Sequence, residues 1–434
     1  MSPPLVGAIG FVVMLLLILL GLPIGFSMML IAVVGTAYFT NLHASFSLVG
    51  IIPYTTSFSY LFAVVPLFTF MGMISYEIGI TTGAYRALYK WLGALPGGLA
   101  MATIGACAAF AATCGSSLAG AASMSKVAAP EMFQYKYDPK LVTGSIAAGG
   151  TLGILIPPSI GFIVYGMITE TSIGQLFIAG FFPGLLLSGL FMLGIYVMVK
   201  RNPKMGPPGP GTNWRERLIA IKDFWQIAFL FLLVIGGIYA GVFTPTEAAA
   251  VGAFVAVVLG LVQKKLTGEK LMRSFRETVH TTGMLFVVVI AAMLFNYFIG
   301  LSRIPLVLAD IIGALGLSRY LILTFILVAL IFLGCIMDAM AMILLTMPIL
   351  FPVVIGLGFD PVWFGVITVI MMEAGLITPP IGLNVYIVSG AIPEVPLEDV
   401  FRGIPIFLLL MIVCVIILTF FPQIALFLPN LTMS

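Results

Sequence analysis

Two stretches of the chain set adjacent prolines between glycines inside otherwise apolar runs: "GILIPPSIG" at Gly153–Gly161 and "GLITPPIGL" at Gly375–Leu383. Proline has no N–H, and its ring collides with the carbonyl one turn back, so a pair ends a helix. In water the freed carbonyls would be solvated. Here 61% of the 434 residues are hydrophobic and only 8% charged, against about 25% charged in a soluble domain. The surroundings are therefore lipid, and the freed carbonyls need a partner within the membrane. The long apolar runs predict an all-α polytopic membrane protein, not a β-barrel of short alternating strands. The first run, Leu5–Leu22, lacks a basic leader and a small-residue cleavage site and reads as a first transmembrane helix. Cys107, Cys114, Cys335 and Cys414 all lie in apolar stretches without a CxxC pair and read as packing residues.

The two Pro-Pro pairs are 222 positions apart, at 157 and 379. The same shift carries Pro23 onto Pro245, Pro130 onto Pro352, Pro139 onto Pro361 and Pro183 onto Pro405. It also carries "YDP" (Tyr137–Pro139) onto "FDP" (Phe359–Pro361) and Gly153 onto Gly375. Shared breakpoints at one offset without a gap indicate an internal duplication. It divides the chain into a first repeat at 1–200, a basic Pro/Gly-rich linker at 201–222 and a second repeat at 223–434.

Five crossings are expected in the first repeat, near 5–22, 24–41, 58–80, 140–170 and 175–199. The stretch 94–136 is broken midway by "TCGSSLAGAAS", and neither arm reaches the ~20 residues of a full span. It reads as a re-entrant helical hairpin; a kinked pair of spans is the alternative. An odd number of crossings makes the two repeats inverted in topology, a device of secondary transporters. Placing the linker in the cytoplasm puts all but Arg303 and Arg319 of the 19 Lys and Arg residues on the inside, a strong positive-inside bias. Both termini are then outside, and the second hairpin, near 318–357, enters from the opposite face to the first. The net charge of +3 is topological and does not indicate nucleic acid. The stretch "QKKLTGEKLMRSFRETVH" reads as an amphipathic arm on the inner face, and Thr244–Glu247 reads as a capping box.

Glycines before each Pro-Pro pair let the backbone leave helical geometry. A helix broken at mid-depth offers carbonyls to a cation and amides to an anion. The alternative is a plain proline kink, but two equivalent copies, each following a hairpin, favour a binding site. The offset pairs Ser116 at the first hairpin tip with Asp338 at the second. Hydroxyl, carboxylate and carbonyl oxygens are the hard ligands that small cations prefer. Asp338 otherwise has to be neutralised or paired. Glu373 reads equally as an ion ligand or a packing partner, and Ser116 and Ser117 otherwise serve as small packing residues. Ser159, Thr378 and Asn384 are candidate hydrogen-bonding groups for a substrate. Arg303 is a candidate for meeting an anionic substrate or a binding protein, with an interfacial anchor as the other reading.

A membrane serine hydrolase built on "CGSSLAG" fails for want of a base: His43 and His280 fall near opposite faces of the expected topology. No nucleotide-binding loop is present, so a primary pump is unsupported. A passive anion channel remains the rival, since two broken helices also suit a pore.

The series "GSSLAGAAS…APEM…YDP…AAGGTLGILIPPS", "TPTEAAAVGA" and "MDAMAMILLTMPILFPV…FDP…EAGLITPPIGLNVY" resembles the large membrane subunit of the TRAP (tripartite ATP-independent periplasmic) transporters over nearly the whole chain. The resemblance implies an elevator-type fold similar to the ion-transporter superfamily. Its mobile transport part would span about 94–170 and 318–388, with the rest as scaffold. It implies import of an organic acid such as a C4-dicarboxylate or sialic acid with sodium, proton coupling being the alternative, and no enzyme activity. It also implies a small four-helix membrane subunit and a soluble periplasmic binding protein as partners, in a bacterial inner membrane. Sodium, the coupling ion, with no other cofactor, would bind at Gly115, Ser116, Ser117, Gly150, Thr151, Gly153 and Pro157 in one site. The other would comprise Met337, Asp338, Glu373, Gly375, Thr378 and Pro379. Lys126, within the first hairpin, departs from the apolar or small residue expected there and is read as snorkelling to the surface or marking a substrate difference.

Overall fold

The computed structural model describes residues 1–209, 211–314 and 316–432, and every regular element among them is helical. The first half comprises α1 (Pro3–Leu19), α2 (Ile24–Phe39), α3 (Leu42–Ser57), α4 (Val64–Glu77), α5 (Ile80–Leu92), α6 (Gly98–Cys114), α7 (Ser117–Val127), α8 (Ala129–Gln134), α9 (Pro139–Leu155), α10 (Ile160–Thr169) and α11 (Ile173–Arg201). The second comprises α12 (Trp214–Tyr239), α13 (Pro245–Val262), α14 (Gly268–Ser302), α15 (Ile304–Ala314), α16 (Arg319–Gly334), α17 (Ala339–Gly356), α18 (Pro361–Leu376), α19 (Leu383–Ala391), α20 (Leu397–Arg402), α21 (Pro405–Phe420) and α22 (Gln423–Thr432). Among the described residues, seven helical stretches are long and apolar enough to cross a membrane, or eight if the bent pair α9–α10 is one span.

The 222-position shift is written into the helix boundaries. It carries the first residue of α9, Pro139, onto the first residue of α18, Pro361, and the first of α7, Ser117, onto the first of α17, Ala339. The caps repeat as well: Asp138 accepts from the Lys140 amide at 2.8 Å, and Asp360 from the Val362 amide at 2.8 Å. Lys136 and Gly358, also 222 positions apart, both adopt left-handed backbone, with φ of 58° and 79°. Both Pro157-Pro158 and Pro379-Pro380 are cis.

The repeats differ at one joint. The predicted amphipathic arm is not a separate helix; it is the first part of α14, whose 35 residues run about 52 Å without a break. The matching segment of the first repeat is split into α3 and α4 by a 3-10 turn at Tyr60–Ala63. Pro66 lies just beyond that turn and cannot donate to the Phe62 carbonyl, whereas Val288 at the equivalent place can. Neither α3 nor α5 was read from the sequence. The predicted linker is also shorter, since helix resumes at Trp214. Its remainder lies across the ends of α5, α6 and α9. The Gly97 amide donates to the Gly206 carbonyl at 3.0 Å, the Asp138 amide to Met205 at 2.9 Å, and the Gly209 amide to Gly93 at 2.8 Å.

The stretches expected as hairpins are helix pairs interrupted near the expected tips, α6–α7 and α16–α17. Three of their arms have 17, 11 and 16 residues, short of a full span, while α17 reaches 18. Each hairpin packs on its own broken helix, α6 and α7 on α9, α16 and α17 on α18. The halves then cross over: α7 packs against α19, and α17 against α10. Tyr165 of α10 donates its hydroxyl to the Pro361 carbonyl, at 2.8 Å, where α18 begins. Every residue of α9 from Leu141 to Leu155 is buried, and every residue of α18 from Val362 to Leu376. A helix apolar all round and covered all round is a protein core, not a lipid face. Apolar exposed positions are instead on the helices around them, such as Leu16 of α1, Val34 of α2, Leu232 of α12 and Val279 of α14, and on the hairpin helix α16 at Phe325 and Phe332.

Hairpin and broken helix meet backbone to backbone. A Cβ on Gly153 would come within 2.5 Å of the Ser116 carbonyl oxygen and 2.9 Å of the Ser117 nitrogen. A Cβ on Gly375 would come within 2.6 Å of the Gly334 Cα. Neither neighbour is a side-chain tip that can swing away. Gly153→Ala and Gly375→Ala should therefore each destabilise by about 1–3 kcal/mol. Gly50→Ala, with open space around the new methyl, should not. Thermal unfolding of the three variants checks this contrast; equal effects would contradict the close contact.

Candidate functional site

The two hairpin tips are built by different means. Helix α6 ends at Gly115 in left-handed backbone, φ 63°, where a Cβ would lie 2.7 Å from the Pro158 carbonyl oxygen. Glycine therefore seats the tip directly on the first helix break. Ser116 then caps α7, its hydroxyl accepting from the Ala119 amide at 3.4 Å. At the second tip Asp338 caps α17, one carboxylate oxygen accepting from the Met340 and Ala341 amides at 2.9 and 3.1 Å. Met337, just before it, is buried.

The breaks behind the tips also differ. Pro157 and Pro158 offer no amide to the carbonyls of Gly153 and Ile154. In the second break the Thr378 amide donates to the Gly375 carbonyl at 2.9 Å, and Pro380 leaves the Leu376 carbonyl without a helical donor. Thr151 and Thr378 donate their hydroxyls back to their own helices, to Ala148 at 2.6 Å and to Ala374 at 2.6 Å. Gly150 lies where a Cβ would meet the Ser117 carbonyl oxygen at 3.0 Å.

A single cavity of about 430 Å³ brings Gly115, Ser116 and Ser117 of the first tip together with Asp338 of the second. Its remaining wall includes Thr69 and Met73 of α4 and Thr281, Met284, Leu285 and Val288 of α14. Sequence reasoning missed Thr69 and Thr281: they lie on helices with no break, and nothing in their own neighbourhoods marks them. It also took Cys114 as packing alone, whereas Cys114 is among the residues that line the cavity.

Behind the wall lie polar groups without partners. Glu373 is 1% exposed and neither carboxylate oxygen has a hydrogen bond. It faces Ser117, whose hydroxyl is equally unpartnered at 1% exposure. Glu373, grouped from the sequence with Asp338, thus meets the hairpin of the other repeat. Asn384 is fully buried with both amide atoms unpartnered. Ser159 is buried and caps α10, accepting from the Phe162 amide at 3.2 Å. Arg303 stands exposed at the left-handed end of α14 and is not among the residues lining the cavity. Lys126 is exposed at the far end of α7.

Over residues 11–424 the sequence matches the family described as tripartite ATP-independent periplasmic transporter, DctM component. The chain belongs to this family. It is 38% identical over 381 residues to the C4-dicarboxylate TRAP transporter large permease protein of Pseudomonas aeruginosa, covering 87% of this chain and 88% of that one. It is 32% identical over 421 residues to the sialic acid TRAP transporter large permease protein of Vibrio cholerae, covering 96% of each. It is 35% identical over 375 residues to the ectoine/5-hydroxyectoine large permease protein of Ruegeria pomeroyi, 85% of this chain and 86% of that one. In fold it is similar to the YdaH transporter of Alcanivorax borkumensis, with a TM-score of 0.63 at 16% identity over 87% of this chain and 88% of that one. It also resembles the MtrF efflux pump of Neisseria gonorrhoeae, with a TM-score of 0.56 at 13% identity over 96% and 95% of the chains. The relatives are transporter permeases, in agreement with the reading of the chain as a multi-pass membrane transport subunit.

The Asp338 cap separates charge from shape. Asp338→Asn keeps an acceptor for both amides, whereas Asp338→Ala removes it and should cost about 1–2 kcal/mol. Thermal unfolding in sodium-free buffer should place the Asn variant near wild type and the Ala variant clearly below. Equal loss in both would show that the cap is not what holds the tip.

Proposed function

We propose that this permease imports an organic acid together with sodium across the bacterial inner membrane, taking it from a soluble periplasmic binding protein and working with a small four-helix membrane subunit. The observation that carries the reading is the meeting of both repeats' hairpin tips, Ser116 and Asp338, on one cavity backed by Glu373. A carboxylate buried without a partner is costly, and an oxygen-lined cation site offsets that cost. The oxygens available are those of Ser116, Ser117, Asp338 and Glu373 and the carbonyls released at Pro157 and Pro380. Proton coupling and a passive pore remain the rivals, and a pore gives no reason for two tips to converge on one space.

The cavity's position also supports an elevator. Its far wall, α4 and α14, belongs to the outer helices, while its near wall belongs to the hairpins and broken helices. The second group, with α9 and α18 buried from Leu141 and Val362 onward at its centre, moves against the first. Orientation follows the basic residues, with the linker inside and both termini in the periplasm.

Sodium should stabilise the purified protein against heat relative to potassium or choline at matched ionic strength. Binding to the folded state alone gives about 2.7 kcal/mol at a hundred times the dissociation constant. Ser116→Ala and Asp338→Ala should each weaken that response. Stability indifferent to the cation would remove sodium from the account.

A further inference from the structure

Away from the cavity, α12 and α13 are joined by a pair of glutamines. The Gln226 side-chain amide donates to the Gln263 side-chain carbonyl at 3.1 Å. The Gln263 amide nitrogen is then buried with no acceptor among the described residues, and a buried donor left unpaired is costly. Three lysines stand in sequence beside this pair. Lys222 is one turn before Gln226 on the same face of α12, and Lys264 and Lys265 follow Gln263 directly. All three are exposed, and among the described residues none has an ion pair. The nearby carboxylates are engaged elsewhere. Glu216 pairs with Lys90 at 3.1 Å, and Glu269 with Arg273 at 3.1 Å. Asp223 lies against α5, where a Cβ on Gly83 would meet its carbonyl oxygen at 3.0 Å. Lys264 also holds left-handed backbone, φ 54°, at the end of α13, a place that glycine usually takes.

The surroundings of this cationic cluster are apolar. Trp225 and Phe229 of α12 are 47% and 44% exposed, and Leu261 and Val262 of α13 are 58% and 76% exposed. Phe229 continues the stripe of Lys222 and Gln226 along α12. A free anion would use the lysines and leave these side chains bare. A ligand with an anionic head and an apolar body uses both. Lysines beside an apolar helix at the inner surface attract anionic lipid headgroups, and tryptophan favours headgroup depth.

We propose that the seam between α12 and α13 binds an anionic phospholipid of the inner leaflet. Lys222, Lys264, Lys265 and the Gln263 amide hold its phosphate, and its acyl chains run along Phe229 and Val262. Helix α13 packs on α4, which supplies Thr69 and Met73 to the cavity wall, so the lipid supports that wall from outside. The site is independent of which acid or ion the cavity takes.

Thermal unfolding of the full chain in detergent, titrated with dioleoylphosphatidylglycerol, dioleoylphosphatidylcholine or soluble glycerol phosphate, tests it. The anionic lipid should raise the midpoint saturably, and the zwitterionic lipid should need roughly tenfold more for the same shift. Replacing Lys222, Lys264 and Lys265 by Gln should abolish that preference. Replacing Lys200, Arg201 and Lys204 by Gln removes as much inner charge elsewhere and should leave it intact. Gln263→Met, which keeps every charge, should weaken the anionic lipid's effect severalfold. No lipid preference in the wild type, equal loss in both triple variants, or an unchanged response in Gln263→Met would overturn the proposal. So would glycerol phosphate matching the lipid at equal concentration, which would mark an anion site without a lipid.

Discussion

A helix broken inside a membrane has to find partners for its backbone among its neighbours, and this requirement organises the whole chain. The two Pro-Pro pairs create the need. The hairpins answer it, because their tips arrive at the breaks with backbone against backbone, Gly115 on the Pro158 carbonyl and Gly153 on Ser116. The buried centre then follows. Helices α9 and α18 are covered on all sides because each holds a hairpin along its length and also packs on the other half's second helix segment, α9 on α19 and α18 on α10. The outer helices, which lack a Pro-Pro pair, present apolar residues outward and supply a wall to the cavity through α4 and α14.

Two similar breaks stand 222 positions apart in one molecule, and they are not alike. The same cap position is serine in one repeat and aspartate in the other, so a neutral helix start faces one already matched to a negative charge. The same arm is split by Pro66 in the first repeat and continuous in α14 of the second. Glu373 belongs by sequence to the second repeat but faces Ser117 of the first. The site is therefore a property of the pair, and neither repeat contains it alone.

Much of this was legible in the sequence. Prolines and glycines mark breaks by local sterics, so the places of the two helix breaks, the interruptions near Ser116 and Asp338 and the Thr244–Glu247 capping box could be read from spacing. What escaped was set by long-range contact. Helices α3 and α5 are short and only partly apolar, below what a search for spans detects. Thr69 and Thr281 reach the cavity because α4 and α14 pack against the hairpins, and nothing in their own neighbourhoods says so. The partner of Glu373 was likewise invisible, since the crossing of the repeats is a tertiary fact. Asn384 and Ser159 were marked as polar groups in broken helices, but only the fold shows that one is wholly unpartnered and the other is occupied as a cap.

The central claim is that both hairpin tips border one cavity whose access alternates between the two sides of the membrane. The most direct measurement is the labelling of a cysteine at position 116, in a chain with its four native cysteines replaced, by a membrane-impermeant maleimide applied from either side. The account predicts that sodium, and then sodium with a transported acid, shifts labelling from one side to the other. Equal labelling from both sides at once under every condition would describe an open pore and contradict it.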